Sequence, residues 1–274
     1  DEIARQHSIS LGLAYAEWMD AKLNLLDTPG YLDFFGEVVT GLHAADAAVV
    51  VVSGVSGVEV GTEKAWEVCD RLHLPRLIFV GQMDKEHANF ERVFADVKAH
   101  LSPKVLPVEV PIGEGSTFRG IVNLFSGKSH IYKPGTKSGE YDEVEVPAEH
   151  QAEVKKYSDL LIETVAATDD ALIERYLGGE EIPREEVIAA LKTAVVAGSI
   201  VPLFVGSATL TFGMRALLTK MVEIFPAAAD VPPPVDAPLL GRVFKTTSEP
   251  HVGDVTLFRL YAGTLKNGAD VWNA

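Results

Sequence analysis

The run "LNLLDTPGYLDF" (residues 23–34) takes an apolar stretch straight into an acid, a hydroxyl, a proline and a glycine. An acid at the end of a buried strand, here Asp27, can hold a divalent cation, usually through water. Gly30 lets its backbone N–H approach an anionic oxygen with no side chain in the way. Asp27, Thr28, Pro29 and Gly30 are also the residue types of an ordinary strand-to-helix turn. Two further polar clusters follow apolar runs, "GQMD" (81–84) and "GSAT" (206–209). Asp84 could accept paired hydrogen bonds from a ring with adjacent N–H and NH₂ donors, as guanine has. A backbone N–H near Ala208 could donate to the carbonyl oxygen of the same ring. Each cluster alone reads as a loop; the three in this order point to a nucleotide site.

The elements that would position these clusters alternate in type. "KLNLLD" (22–27), "DAAVVVVS" (46–53), "RLIFVG" (76–81) and "IVPLFVGS" (200–207) read as buried strands. Their near-continuous Val, Leu and Ile content suits a parallel sheet covered on both faces. Residues 32–43, 62–72 and 88–101 have the length and composition of crossover helices, and 212–225 forms a further one. This is a doubly wound α/β pattern, whose ligands bind beyond the carboxyl ends of the strands. Between about 108 and 198 the alternation breaks. Strand-like pieces at 118–125 and 128–133 and a polar turn at 133–143 come first, then helical stretches around 149–167 and 184–197. The segment reads as an α+β insertion. "PAAADVPPPVDAP" (226–238) is a semi-rigid linker by composition. From 239 to 274, strands separated by "GD", "AG" and "NG" read as the start of a β-barrel or sandwich domain.

Composition narrows the class. Of 274 residues 47% are hydrophobic, enough for a sizeable core, and no apolar run is long enough to span a membrane. A formal charge of −15 argues against broad binding to DNA or RNA, which needs a basic footprint. Docking on a ribonucleoprotein through local patches stays open. The single cysteine, Cys69, excludes an internal disulfide framework and fits a reducing cytoplasm. The eight histidines show no metal-like spacing. The opening on Asp1 and the stop inside a strand-like pattern suggest a fragment cut at both ends.

The chain resembles a translational GTPase, specifically an elongation factor G-like protein. The resemblance is carried by "DTPGYLDF", "GVEVGTEKAWEVCDRLHLPR" (57–76), "MDK" (83–85), "GSA" (206–208) and "GDVTLFRLYAGTLKNG" (253–268). It covers essentially the whole chain, and the insertion resembles the extra subdomain in that family's GTPase domain. The implied fold is a P-loop GTPase-type doubly wound sheet over 1–225 with the inserted subdomain, followed by the start of β-barrel domain II. The implied ligands are GTP or GDP and Mg²⁺. Residues 27–30 would face the phosphates, Gly81, Gln82, Asp84, Ser207 and Ala208 the base. "RQHSIS" (5–10) falls at the end of the family's first switch segment, which puts Ser8 and Asp27 at the metal. The implied setting is a cytoplasmic monomer working on the ribosome, with stalk proteins as partners of the insertion, and with neither DNA nor membrane as a partner.

Three departures qualify that reading. No G-x-x-x-x-G-K-[ST] loop occurs, so the chain as given is expected to bind nucleotide poorly; in the family that loop lies upstream of the first switch. Tyr31 occupies the position of the histidine that helps to place the attacking water. A phenol cannot become an imidazolium-like donor at neutral pH, and the ring could equally pack over the pocket. "GQMD" replaces Asn-Lys-x-Asp and keeps only the aspartate. The rival expectation is a ribosome-binding regulator of the same fold that hydrolyses GTP weakly or not at all. A nearer alternative is a ribosomal protection or release-factor GTPase.

Overall fold

The computed structural model describes residues 2–5, 7–233, 235 and 237–273. In chain order its first elements are α1 (Glu2–Arg5), β1 (Gly12–Trp18), β2 (Ala21–Asp27), α2 (Phe35–Ala44), β3 (Ala48–Ser53), α3 (Val60–Arg71), β4 (Arg76–Gly81) and α4 (Phe90–His100). Then come β5 (Val105–Pro107), β6 (Glu109–Ile112), β7 (Gly120–Asn123), β8 (Lys128–Tyr132), β9 (Tyr141–Glu145), α5 (Gln151–Ala166), α6 (Asp170–Leu177) and α7 (Arg184–Val196). The last are β10 (Val201–Val205), α8 (Met214–Ile224), β11 (Leu240–Glu249) and β12 (Gly253–Ala262).

The chain forms two compact units, one of residues 1–15, 24–46 and 226–274, the other of residues 16–23 and 47–225. The second holds a four-stranded sheet in the order β3-β4-β10-β5, parallel throughout. Every residue of β4 and β10 is buried, which accounts for their unbroken apolar runs: a strand covered on both faces has no place for polar alternation. Register pairs Ser53 with Gly81 and Val80 with Val205. The segments that follow β3, β4 and β10 therefore leave the sheet side by side.

Local chemistry sets the helix starts. Glu59 and Thr62 form a reciprocal capping box at α3, and the Asn89 side chain accepts the Arg92 N–H at α4. The insertion opens with an antiparallel meander, β6-β7-β8-β9, and continues through α5, α6 and α7. Its apolar side chains join the core of the sheet, where Tyr157 stands edge-on to Phe90 and Phe94 at 6.0 Å. The insertion is thus part of one hydrophobic core with the sheet rather than a separate module.

The first unit contains the antiparallel hairpin β11-β12 and a small core of Leu11, Ala44 and Phe244. Lys245 reaches the Leu11 carbonyl and the Ser10 hydroxyl, and Arg259 pairs with Asp46 and the Ala44 carbonyl.

Two expectations need adjustment. The strand at 22–27 forms, but it pairs with β1 in a two-stranded sheet of its own. Its exposed Lys22 and Asn24 alternate with half-buried Leu23 and Leu25, a period-2 pattern that belongs to a one-sided ladder, not to a strand covered on both faces. The short strand β5, beside β10 at the sheet edge, and helix α6 were not expected. Pro107 makes β5 look like a loop, yet an edge strand tolerates proline. Pro234 and Asp236 of the expected linker lie outside the described residues, as does Ala274 of the expected barrel segment.

Candidate functional site

The predicted base-facing residues lie within the second unit. Gly81 closes β4, and Gln82 follows with φ +61°, a left-handed conformation uncommon for a side chain of this kind. Its Oε1 accepts the Ser53 hydroxyl at 2.7 Å, while Ser53 Oγ itself accepts the Val55 and Ser56 amides at 3.1 Å. Ser53 therefore ties the turn after β3 to the turn after β4. The two turns approach so closely that a side chain at Gly54 would meet the Gly81 carbonyl at 2.9 Å.

Asp84 sits next to the loop after β10, because the Met83 N–H donates to the Gly206 carbonyl at 3.2 Å. Its side chain is 13% exposed, and one oxygen stands 3.5 Å from Lys85 Nζ. The other, Oδ1, is buried with no hydrogen-bond partner among the described residues. A carboxylate left short of donors costs free energy, and a planar ring with two adjacent N–H groups offers donors of the kind it lacks. The site in this sense fits a guanine ring.

The loop after β10 is held shut. Ser207, fully buried, donates its N–H to the Phe212 carbonyl at 2.9 Å and accepts the Leu210 N–H on Oγ at 3.2 Å. Ala208 is exposed on the turn, its carbonyl taking the Thr211 N–H. Ser207 thus shapes the loop from inside, and Ala208 lies at its surface.

Ser8, Asp27, Thr28, Pro29, Gly30 and Tyr31 belong to the first unit. Asp27 ends β2 with its side chain exposed, and Ser8 Oγ donates to its Oδ2 at 3.5 Å. Two residues nineteen apart in sequence thus bring a hydroxyl and a carboxylate together. No group of three or more His, Cys, Asp or Glu suited to a metal occurs among the described residues. A pair of oxygen donors alone fits only a cation such as Mg²⁺ that brings water and phosphate oxygens with it. Pro29 is buried, and Thr28 packs so close to α2 that a side chain at Gly41 would meet its Cγ2 at 2.9 Å. Gly30 is exposed, with nothing within 4 Å of where a side chain would begin. Tyr31, 57% exposed, tilts against the His7 ring at 4.4 Å.

Sequence reasoning passed over Ser53 and His7, and took Gly206 only as part of the 206–209 cluster, without a role of its own. Ser53 gave itself away only as a hydroxyl at a strand end, and Gly206 only as a glycine after one. A side chain at Gly206 would meet the Phe212 carbonyl at 2.3 Å. Nothing local in the sequence marks His7 as a neighbour of Tyr31.

A parallel α/β sheet with its polar loops gathered beyond the carboxyl ends of β3, β4 and β10 defines a nucleotide-binding class of domain. The chain belongs to the elongation factor Tu GTP binding domain family, which matches residues 1–227. It is also similar to a protein of known crystal structure from Thermus thermophilus, at 35% identity and a TM-score of 0.87. That match covers 98% of this chain but 39% of the Thermus chain. No helix among the described residues is long and apolar enough to cross a membrane.

Proposed function

We propose that the protein is a guanine-nucleotide switch of the elongation factor G-like kind, hydrolysing GTP in association with the ribosome. The observation that carries this reading is the pairing of the Asp84 loop with the 206–209 loop, joined by the Met83-to-Gly206 hydrogen bond and leaving Asp84 Oδ1 without a partner among the described residues. Asp84 would accept the ring N–H and amino group of guanine, and the Ala208 amide would donate to its carbonyl. Gln82, held by Ser53, would flank the ring without the cation that a lysine supplies. At the phosphate end, Ser8 and Asp27 would hold Mg²⁺, which neutralises phosphate charge when bound. Gly30 has nothing within 4 Å of where a side chain would begin, so no side chain would bar a terminal phosphate oxygen from its amide. Loss of that oxygen on hydrolysis would release the segments around Ser8 and residues 27–30, a switch by loss of γ-phosphate contacts. The domain organisation that goes with this reading is a GTPase domain to about residue 225, a linker, and the start of a β-barrel domain from 239. A cytoplasmic monomer that meets the ribosomal stalk through its insertion completes it.

Tyr31 favours a second reading, a ribosome-binding regulator of the same fold with little hydrolysis. Its exposed phenol, against His7, has no means of donating as an imidazolium does. Both readings are tested together by measuring GDP affinity and GTP turnover of the intact protein with and without ribosomes. Guanine-selective binding with ribosome-stimulated turnover supports the switch. Ribosome binding without acceleration supports the regulator, and indifference to guanine nucleotides rejects the first reading.

A further inference from the structure

The inserted meander reaches the loop after β10 through one residue. Tyr132, the last residue of β8, is 5% exposed, and its hydroxyl accepts the Gly213 N–H at 2.8 Å. Its ring stacks on Phe212 at 4.3 Å and 10° between planes, while Phe118, also of the insertion, lies against the same ring at 6.0 Å. Phe212 is the residue whose carbonyl takes the Ser207 N–H. The 207–213 loop is therefore closed on itself by Ser207 and fastened to the insertion at its far end. The fastening point has little freedom to move. Gly213 has φ +86°, and a side chain there would meet the Val205 carbonyl at 2.6 Å. Glycine is needed at both ends of the loop, so neither end can supply a side-chain anchor, and Tyr132 supplies one from outside.

We propose that Tyr132 is a positioning residue for purine recognition, holding the 207–213 loop where the Ala208 amide meets the 6-carbonyl of the ring. This rests on the reading of the two loops as a guanine site. Tyr132 acts through the loop and touches no ligand itself. The consequence is selective. Guanosine and inosine nucleotides share the 6-carbonyl and differ in the 2-amino group, which falls to Asp84. Loosening the loop weakens both nucleotides alike, whereas removing the Asp84 carboxylate narrows the preference for guanosine.

The test is a titration of the intact protein with fluorescent GDP and IDP, comparing wild type, Tyr132→Phe and Asp84→Ala. Tyr132→Phe keeps the ring stack and deletes only the acceptor for the Gly213 N–H. GDP and IDP affinity should fall together by about threefold to tenfold, with their ratio unchanged. Amide hydrogen exchange over 207–213 in the nucleotide-free protein should speed up, while the stretch around Asp84 keeps its rate. Wild-type GDP affinity with an unaltered exchange rate overturns the inference. So does a Tyr132→Phe protein whose GDP-to-IDP ratio narrows as in Asp84→Ala, since that pattern belongs to a general loosening of the site. A wild-type protein that ignores both nucleotides overturns the guanine reading and this inference with it, and the wild-type titration alone separates that failure from the other two.

Discussion

Single residues in this chain differ in how openly they declare their roles. Asp27 and Asp84 stand at the ends of apolar runs, and a carboxylate there is visible without coordinates. Glu109 is not. It begins β6 among apolar neighbours and is 1% exposed, with neither oxygen hydrogen-bonded among the described residues. Burial pushes its carboxyl from an ordinary 4.5 to about 8, against the opposing pull of the Val205 backbone amide and of Lys220. Tyr132, raised first by its own burial, also feels the Glu109 charge. Because the folded-state value is the higher one, the stability Glu109 contributes is complete below pH 4.5 and is lost as pH climbs through about 8. The whole loss is on the order of 3–5 kcal/mol. Glu109→Gln should abolish most of that slope, leaving the variant little changed at pH 5 and clearly more stable than wild type at pH 9 by urea unfolding. Parallel pH profiles for the two proteins would show that Glu109 does not titrate in this range. Gly30 gives a complementary case. With open space around it, Gly30→Ala should leave the melting temperature within a degree or two of wild type. The same change should lower GTP turnover at least tenfold if a phosphate oxygen approaches that amide (on the order of 1.4 kcal/mol). Unchanged turnover would move the phosphate elsewhere.

At the scale of elements, the strands β4 and β10 were legible because burial on both faces leaves an apolar run that little else explains, whereas β3, at the sheet edge, carries the same apolar run with Val51 66% exposed. The meander was legible as strand-like pieces, but its relation to the sheet was not. That Tyr132 stacks on Phe212 depends on two residues eighty apart in sequence, and no local period encodes such a pairing. The same limit hid the partner of β2: the alternation of Lys22, Leu23, Asn24 and Leu25 announces a one-sided strand without saying what it pairs with. The loop between β10 and α8 shows how an element can be set by what it lacks. Gly206 and Gly213 each stand where a side chain would collide with backbone, at 2.3 Å from the Phe212 carbonyl and 2.6 Å from the Val205 carbonyl. Backbone cannot yield as a flexible side chain does. Gly213→Ala adds a positive-φ penalty to the collision and should cost more than about 2 kcal/mol. A urea midpoint equal to wild type would mean that the loop has another conformation available.

The two units of the molecule rest on very unequal cores. The second is built on a continuous apolar cluster that runs from Val50 to Ile224 and takes in the insertion, whereas Leu11, Ala44 and Phe244 are the buried residues of the first unit's cluster. Full burial of one Leu or Phe side chain contributes about 1.5–3 kcal/mol, and ordering each residue's backbone costs about 1–2 kcal/mol. A cluster of that size cannot offset the entropy of the segments it organises, so their order must draw on hydrogen bonds such as those of Lys245 and Arg259. A hydrophobic cluster this small also suits the proposed switch, since switching elements come from the low-stability end of a structure. Hydrogen exchange of the chain should therefore be graded. Amides of β11, β12 and residues 27–31 should exchange through local opening, at least a hundredfold faster than those of β4 and β10 (a gap of about 2.7 kcal/mol). Addition of a non-hydrolysable GTP analogue to the intact protein should slow the 27–31 stretch more than β11 and β12, and GDP should not, because on the proposed reading the γ-phosphate contacts the first and reaches the second only through the fold. Equal protection across β4, β10, β11 and β12 would mean that the two units unfold as one, and a switch confined to the first would then have no low-stability element to work with.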